Sequence, residues 1–211
     1  KTITVLACLW SYALLTGLTP SVLRASIMFS FFTIGLAVGR KTNIYNTLAA
    51  SAIFMLFIQP SLLFEVGFQL SYLAVIGIVS IYPKLYSIFL FKYKFIDFFW
   101  SLTCVSIAAQ LSTFPLGIYY FHQFPNYFLL ANLFIIPTIS ILIFSGIFFL
   151  ILQPIPFLSE PLFLLFKSLI SYMIKIVSQV ESLPFSVSQF LYLYKWEVIL
   201  LYVIIFMIMI K

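Results

Sequence analysis

The sequence predicts an all-α fold: a polytopic integral membrane bundle of about seven to eight hydrophobic helices, some kinked or broken. Three observations predict it. Of 211 residues, 64% are hydrophobic and 8% are charged, against roughly a quarter charged in a soluble domain. So few charges cannot coat a surface that faces water, and the bilayer must be the solvent for most of the chain. The apolar runs are long, and about 20 helical residues rising about 1.5 Å each cover a hydrocarbon core of about 30 Å. Prolines, glycines and cations interrupt the runs at the spacing such spans require.

The first span is expected over Thr2 to Leu18. Its apolar block leads into another span, not a small-residue cleavage site, so no signal peptide is expected here. Without an initiator Met, the sequence is expected to be a portion of a longer protein that forms one transmembrane domain over residues 1–211. Thr19 suits an N-cap and Pro20 the first helical position, where a missing N–H costs nothing. The second helix runs from Pro20 to Val38 and stops at Gly39-Arg40-Lys41, glycine followed by cations. The third covers Tyr45 to Ile58 and is ended by Gln59-Pro60. The fourth covers Phe64 to Tyr82 and is closed by Pro83.

The stretch YPKLYSIFLFKYKFID mixes aromatics with Lys84, Lys92, Lys94 and Asp97, the composition of a headgroup-level segment. A fifth span is expected from Phe98 to Tyr120 and a sixth from Tyr127 to Leu152. QPIPFLSEP reads as a loop, with a seventh helix from Ser159 to Val180. Ser182 to Tyr194 is less regular, and Lys195 to Ile210 is the last apolar run. Alternating the loops places Lys1, Arg40, Lys41, Lys84, Lys92, Lys94 and Lys211 on one side, and Arg24, His122 and Lys195 on the other. The positive-inside rule puts the first group in the cytoplasm. Lys167 and Lys175 share one helical face, which leaves open whether the seventh helix crosses or lies in the interface.

Polar groups at membrane depth are costly, so each needs a reason. Arg24 either snorkels to the nearby surface or points inward to meet an anion or a helix carbonyl terminus. Glu65 in the first turn of the fourth span complements the helix dipole. Gln69, with Ser71 nearby, lies deeper and is expected to face the bundle, and Gly67 allows close packing beside it. The fifth and sixth spans share a pattern: Gln110 precedes Pro115 by five, and Asn132 precedes Pro137 by five. A mid-helix proline removes one hydrogen bond and frees the carbonyl four residues earlier, here Leu111 or Leu133. Broken helices are tolerated where they are buried in protein or line a wet cavity. These kinks are therefore expected either to face each other along a polar path or to be packing kinks satisfied by neighbouring helices.

No catalytic constellation is visible: no HExxH, no GxSxG, no phosphate-cradling glycine loop. Cys8 and Cys104 sit in apolar runs as small packers, and the one histidine, His122, builds no metal centre by itself. Neither enzymatic activity nor a cofactor or metal is expected.

Four ordered motifs, TGLTPSVLRASIM, LFEVGFQLSYLAVIGI, SIAAQLSTFPLGIYYF and HQFPNYFLLANLFIIP, resemble the transmembrane competence domain of the ComEC/Rec2 family over Leu14 to Pro137. On that resemblance Pro20, Ser21 and Arg24 match a turn motif, Gln69 and Ser71 a second, Gln110 and Pro115 a third, and Asn132 and Pro137 a fourth. The resemblance implies an inner-membrane channel that admits single-stranded DNA during natural transformation, with these residues as architecture or polar lining. Its partners would be single-stranded DNA, the lipid bilayer, other competence proteins and further copies of the chain. An upstream SGLH-like helix, an OB-like domain and a metallo-β-lactamase-like domain, present in many members, are not in this sequence. The residues also fit a secondary transporter of a small solute, which uses broken helices near the midplane; inverted internal repeats would mark it, and none is seen.

Overall fold

In the computed structural model of this chain, residues 2–38, 43–153 and 155–210 are described. They form α1 (Thr2–Leu15), α2 (Pro20–Ala37), α3 (Ile44–Ile58), a 3-10 turn (Pro60–Phe64), α4 (Val66–Tyr86), α5 (Lys94–Phe121), β1 (Gln123–Pro125), α6 (Phe128–Leu152), α7 (Pro156–Glu181), β2 (Val187–Gln189) and α8 (Lys195–Ile210). The fold is all-α with one two-stranded ribbon. Within α2, α4, α5, α6 and α7, five apolar stretches are long enough to cross a membrane. The expected stop at Gly39-Arg40-Lys41 lies outside the described residues.

Several boundaries differ from expectation for identifiable reasons. Pro83 does not close α4, which runs on to Tyr86; close to a C-terminus a proline forfeits one ladder bond and little else. The stretch expected at headgroup level is helical at both ends, because α4 runs into it as far as Tyr86 and α5 already opens at Lys94 with Asp97 in its first turn. Asp97 there accepts a hydrogen bond from Tyr86 at 2.6 Å. The QPIPFLSEP loop is shorter than expected, since α7 begins at Pro156 and carries Pro161 inside it. Thr19 stands at the N-cap of α2, but its hydroxyl makes no cap bond. The helices carry hydroxyls at little cost by bonding them back to their own carbonyls, as Ser30 does to Ser26 and Ser112 to Ala108.

The chain forms two compact units, residues 1–80 and 81–211. In the first, α2, α3, the 3-10 turn and α4 bury Ile27, Leu48, Met55, Leu62, Phe68 and Tyr72. The Tyr72 hydroxyl pairs with Ser51 Oγ at 3.1 Å in this core, and Trp10 of α1 donates to Ser30 of α2 at 3.1 Å.

In the second unit, α5 packs on α6 and α8, and α6 with α7 forms a long antiparallel hairpin. Residues at the start of α6, Leu130 and Phe134, share a cleft with Tyr172, Ile176 and Gln179 near the end of α7. Near the hairpin's closed end, Phe149 stacks on Phe166 with ring centres 6.4 Å apart. α7 therefore runs beside α6 for most of its length. His122 and Lys195 sit at the ribbon end of the unit. At the other end, Lys84 donates to the Met209 carbonyl at the end of α8.

At Gly146 α6 passes close to the Phe166 ring of α7. A Cβ there would stand 3.2 Å from Phe166 Cε2. Gly146→Leu is expected to destabilise the hairpin by about 1–3 kcal/mol through overpacking, measured as a lowered midpoint of thermal unfolding in detergent.

Candidate functional site

The polar residues singled out by the sequence lie on α2 and α4 in the first unit and at two proline sites in the second. In the first, Pro20 and Ser21 at the start of α2 are exposed, whereas Arg24 is only 6% exposed. Its guanidinium is sheltered by protein and reaches back one turn toward the start of α2. Its Nη2 donates to Ser21 Oγ at 3.2 Å and lies 3.0 Å from the position a Cβ on Gly67 would occupy. Gly67 is the second residue of α4, so the guanidinium meets a helix N-terminus, not the carbonyl terminus weighed for it. The bare α-carbon of Gly67 is what lets the two come together.

Glu65 stands just before α4, its carbonyl accepting the Gln69 N–H at 3.1 Å. It is an N-cap residue, not a first-turn one. Gln69 does not sit deep in the bundle either: its side chain turns back and donates to the Leu63 carbonyl at 2.8 Å. Ser71 likewise bonds locally, to Phe68 O at 3.0 Å.

In the second unit the two proline sites are built alike. Both helices continue through their prolines. At each site the carbonyl three residues before the proline accepts a hydroxyl. Ser112 O receives the Tyr202 hydroxyl of α8 at 3.1 Å, and Phe134 O receives Thr138 Oγ1 at 2.7 Å. A proline ring crowds the carbonyls of the preceding turn, and a side chain reaching into the ladder is one of the few ways to settle them. Pro115 is fully buried. Neither hydroxyl reaches the carbonyl four residues before its proline, Leu111 O or Leu133 O; each bonds the next carbonyl along, Ser112 O or Phe134 O.

The amides beside them are different. Gln110 and Asn132 are partly buried, and neither side chain has a hydrogen-bond partner among the described residues. Clefts of about 320, 300 and 270 Å³ lie along α6, with walls chiefly of Leu, Ile, Val and aromatic side chains. Gln110 and Asn132 line none of these three.

Two functional positions escaped the sequence reading. Tyr202 is one; a buried tyrosine hydroxyl needs a partner, and an apolar run holding a tyrosine opposite a proline-bearing helix was the available signal. Tyr202→Phe is expected to cost about 1–3 kcal/mol by stripping a partner from the Ser112 carbonyl, read from unfolding in detergent. The other is Asn126. Its Nδ2 donates to Phe185 O at 2.7 Å and to Ser188 Oγ at 2.9 Å, and its Oδ1 accepts from the same serine at 3.2 Å. Tyr127 adds a bond to Pro184 O at 3.1 Å. These contacts lock the β1–β2 ribbon, in which Gln123 pairs with Gln189, Phe124 with Ser188 and Pro125 with Val187. His122, left-handed at φ 56°, ends α5 and packs its ring on Tyr192. Cys104 is buried while Cys8 is exposed, and among the described residues no group of His, Cys, Asp and Glu is arranged to hold a metal ion.

Long apolar helices, proline-bearing spans and half-sheltered amides define an all-helical membrane protein. The profile of the family described as "Competence protein" matches residues 1–211. The chain belongs to this competence-protein family, the ComEC/Rec2 family whose motifs it carries. It is 32% identical over 138 residues to "ComE operon protein 3" of Bacillus subtilis (strain 168), an alignment covering 64% of this chain and 16% of that relative. The matched region is thus a small part of that longer protein. No solved structure matches the chain.

Proposed function

We propose that these helices form a multi-pass conduit in the cytoplasmic membrane that passes single-stranded DNA during natural transformation, acting by transport and not catalysis. The observation that carries this reading is the pair of partly buried amides, Gln110 and Asn132, without partners on helices long enough to span. In hydrocarbon an unpaired amide costs several kcal/mol, and in a membrane such groups are kept where they meet water or other protein. A wet path beside α5 and α6 meets that requirement. Membership of the competence family supports DNA as the cargo.

A wall of amides and hydroxyls with few cations suits conduction, because a tightly held polyanion would not leave. The other competence proteins and further copies of the chain are proposed partners. Placing the Lys84 end of the second unit in the cytoplasm puts the ribbon, with His122 and Lys195, on the outer side.

The test is entry of labelled DNA in a strain lacking the gene; normal cytoplasmic label would remove the proposal. A second measurement locates the path. With the exposed Cys8 first replaced by serine, Gln110→Cys and Asn132→Cys are expected to react with water-soluble thiol reagents. If both are inert, the path lies elsewhere.

A further inference from the structure

Arg24 poses a problem that DNA passage does not answer. Its charge is 6% exposed, and its Nε is a buried nitrogen with no hydrogen-bond partner. No carboxylate lies within ion-pair reach among the described residues; the guanidinium's bond is the one to Ser21. A buried cation without a counter-charge is strongly disfavoured. The nearest backbone makes matters worse. Gly67, against the guanidinium, belongs to the first turn of α4, the positive end of that helix's dipole. Its opening N–H groups precede the first ladder bond, from Gln69 N to Glu65 O, and so have no acceptor within the helix. Tyr72, in the same core, already bonds Ser51 and Met55.

Two donor systems that repel one another share one place, and an anion between them turns both to advantage. We propose that Arg24, Ser21 and the first turn of α4 bind the phosphate of one phospholipid headgroup. A guanidinium edge matches two phosphate oxygens side-on, and helix N-termini bind phosphate through backbone N–H groups. Ser21 is exposed and accepts from Arg24, so its own hydroxyl hydrogen is free to donate to the incoming anion.

The surroundings select a lipid over a passing strand. Arg24 lies in the second turn of α2, about 6 Å along the axis from its start, which is the level of the headgroup boundary. Leu18, Leu63 and Phe64 nearby in sequence are 41%, 49% and 80% exposed, an apolar rim suited to acyl chains. A strand presents a phosphate at every nucleotide and is held by several cations. The site itself offers one guanidinium, a match for a single resident phosphate. The site does not depend on whether the second unit conducts DNA.

Native mass spectrometry of the purified protein released from lipid nanodiscs tests this, with phosphatidylglycerol, inorganic phosphate and oligothymidylate as the probes. The wild type is expected to keep one more phosphatidylglycerol than Arg24→Gln, with at least about tenfold weaker retention in the variant. Ser21→Ala and Gly67→Ala keep the charge and guard against misfolding of the first variant. Both are expected to weaken retention, the second by pushing the guanidinium aside. Equal lipid retention in wild type and all three variants overturns the proposal. So does displacement of the bound lipid by oligothymidylate, which would make the site a strand contact, or by inorganic phosphate, which would make it a free-anion site. Loss of the lipid with unchanged DNA entry would leave the conduit reading intact.

Discussion

Replacing Gln110 and Asn132 together by leucine is expected to lower entry of labelled single strands about a hundredfold while the protein still inserts. Each amide offers a passing strand or its water about one net hydrogen bond, roughly 1–1.5 kcal/mol, and about 1.4 kcal/mol in a barrier is tenfold in rate. Leucine matches helix propensity and volume well enough that insertion and helix content should hold. The measurement is cytoplasmic label per cell against the amount of protein in the membrane fraction. Full uptake in the double variant would mean that the two amides face packing partners, and the conduit would lose its wall.

Asn126→Leu should have the largest effect on local order. It removes three side-chain contacts between the α5–α6 connection and the segment before α8. At roughly 0.7 kcal/mol for each exposed bond the loss is about 2 kcal/mol, which multiplies the opened ribbon's population about thirtyfold. Limited proteolysis between Ser182 and Tyr194 reads this directly, because cleavage tracks the open fraction when opening is fast. Cleavage at the wild-type rate would show that the ribbon is held by backbone pairing and by Tyr127.

Much of the fold could be read before the structure, because bilayer thickness dictates span length and Pro20, Lys195 and the apolar runs announce themselves. The misses have a common cause. Pro83 and Pro161 look like punctuation, yet each lies inside a helix, Pro83 in the last turn of α4 and Pro161 in the second turn of α7, at the cost of one ladder bond each. Gln69 looked deep by counting from Phe64, but the 3-10 turn at Pro60–Phe64 shifts the start of α4 to Val66 and brings the amide back to the Leu63 carbonyl. The ribbon was invisible because three-residue strands carry no period, and its determinant, Asn126, acts on residues about sixty positions away. At the candidate sites, the sequence located Arg24, Gln110 and Pro115 but not what answers them. Gly67 and Tyr202 were within its reach only as packing and as one tyrosine among thirteen.

The bond from Tyr202 to Ser112 spans 90 residues, and this has a temporal side. At a synthesis rate of about 5–20 residues per second, α5 waits roughly five to twenty seconds for its mate. During that interval the Ser112 carbonyl, in the turn before Pro115, lacks the hydroxyl that α8 will bring to it. A chain cut short before α8 never gains that bond, and its α5 stays without the one side-chain tie that joins it to the end of the sequence at this turn.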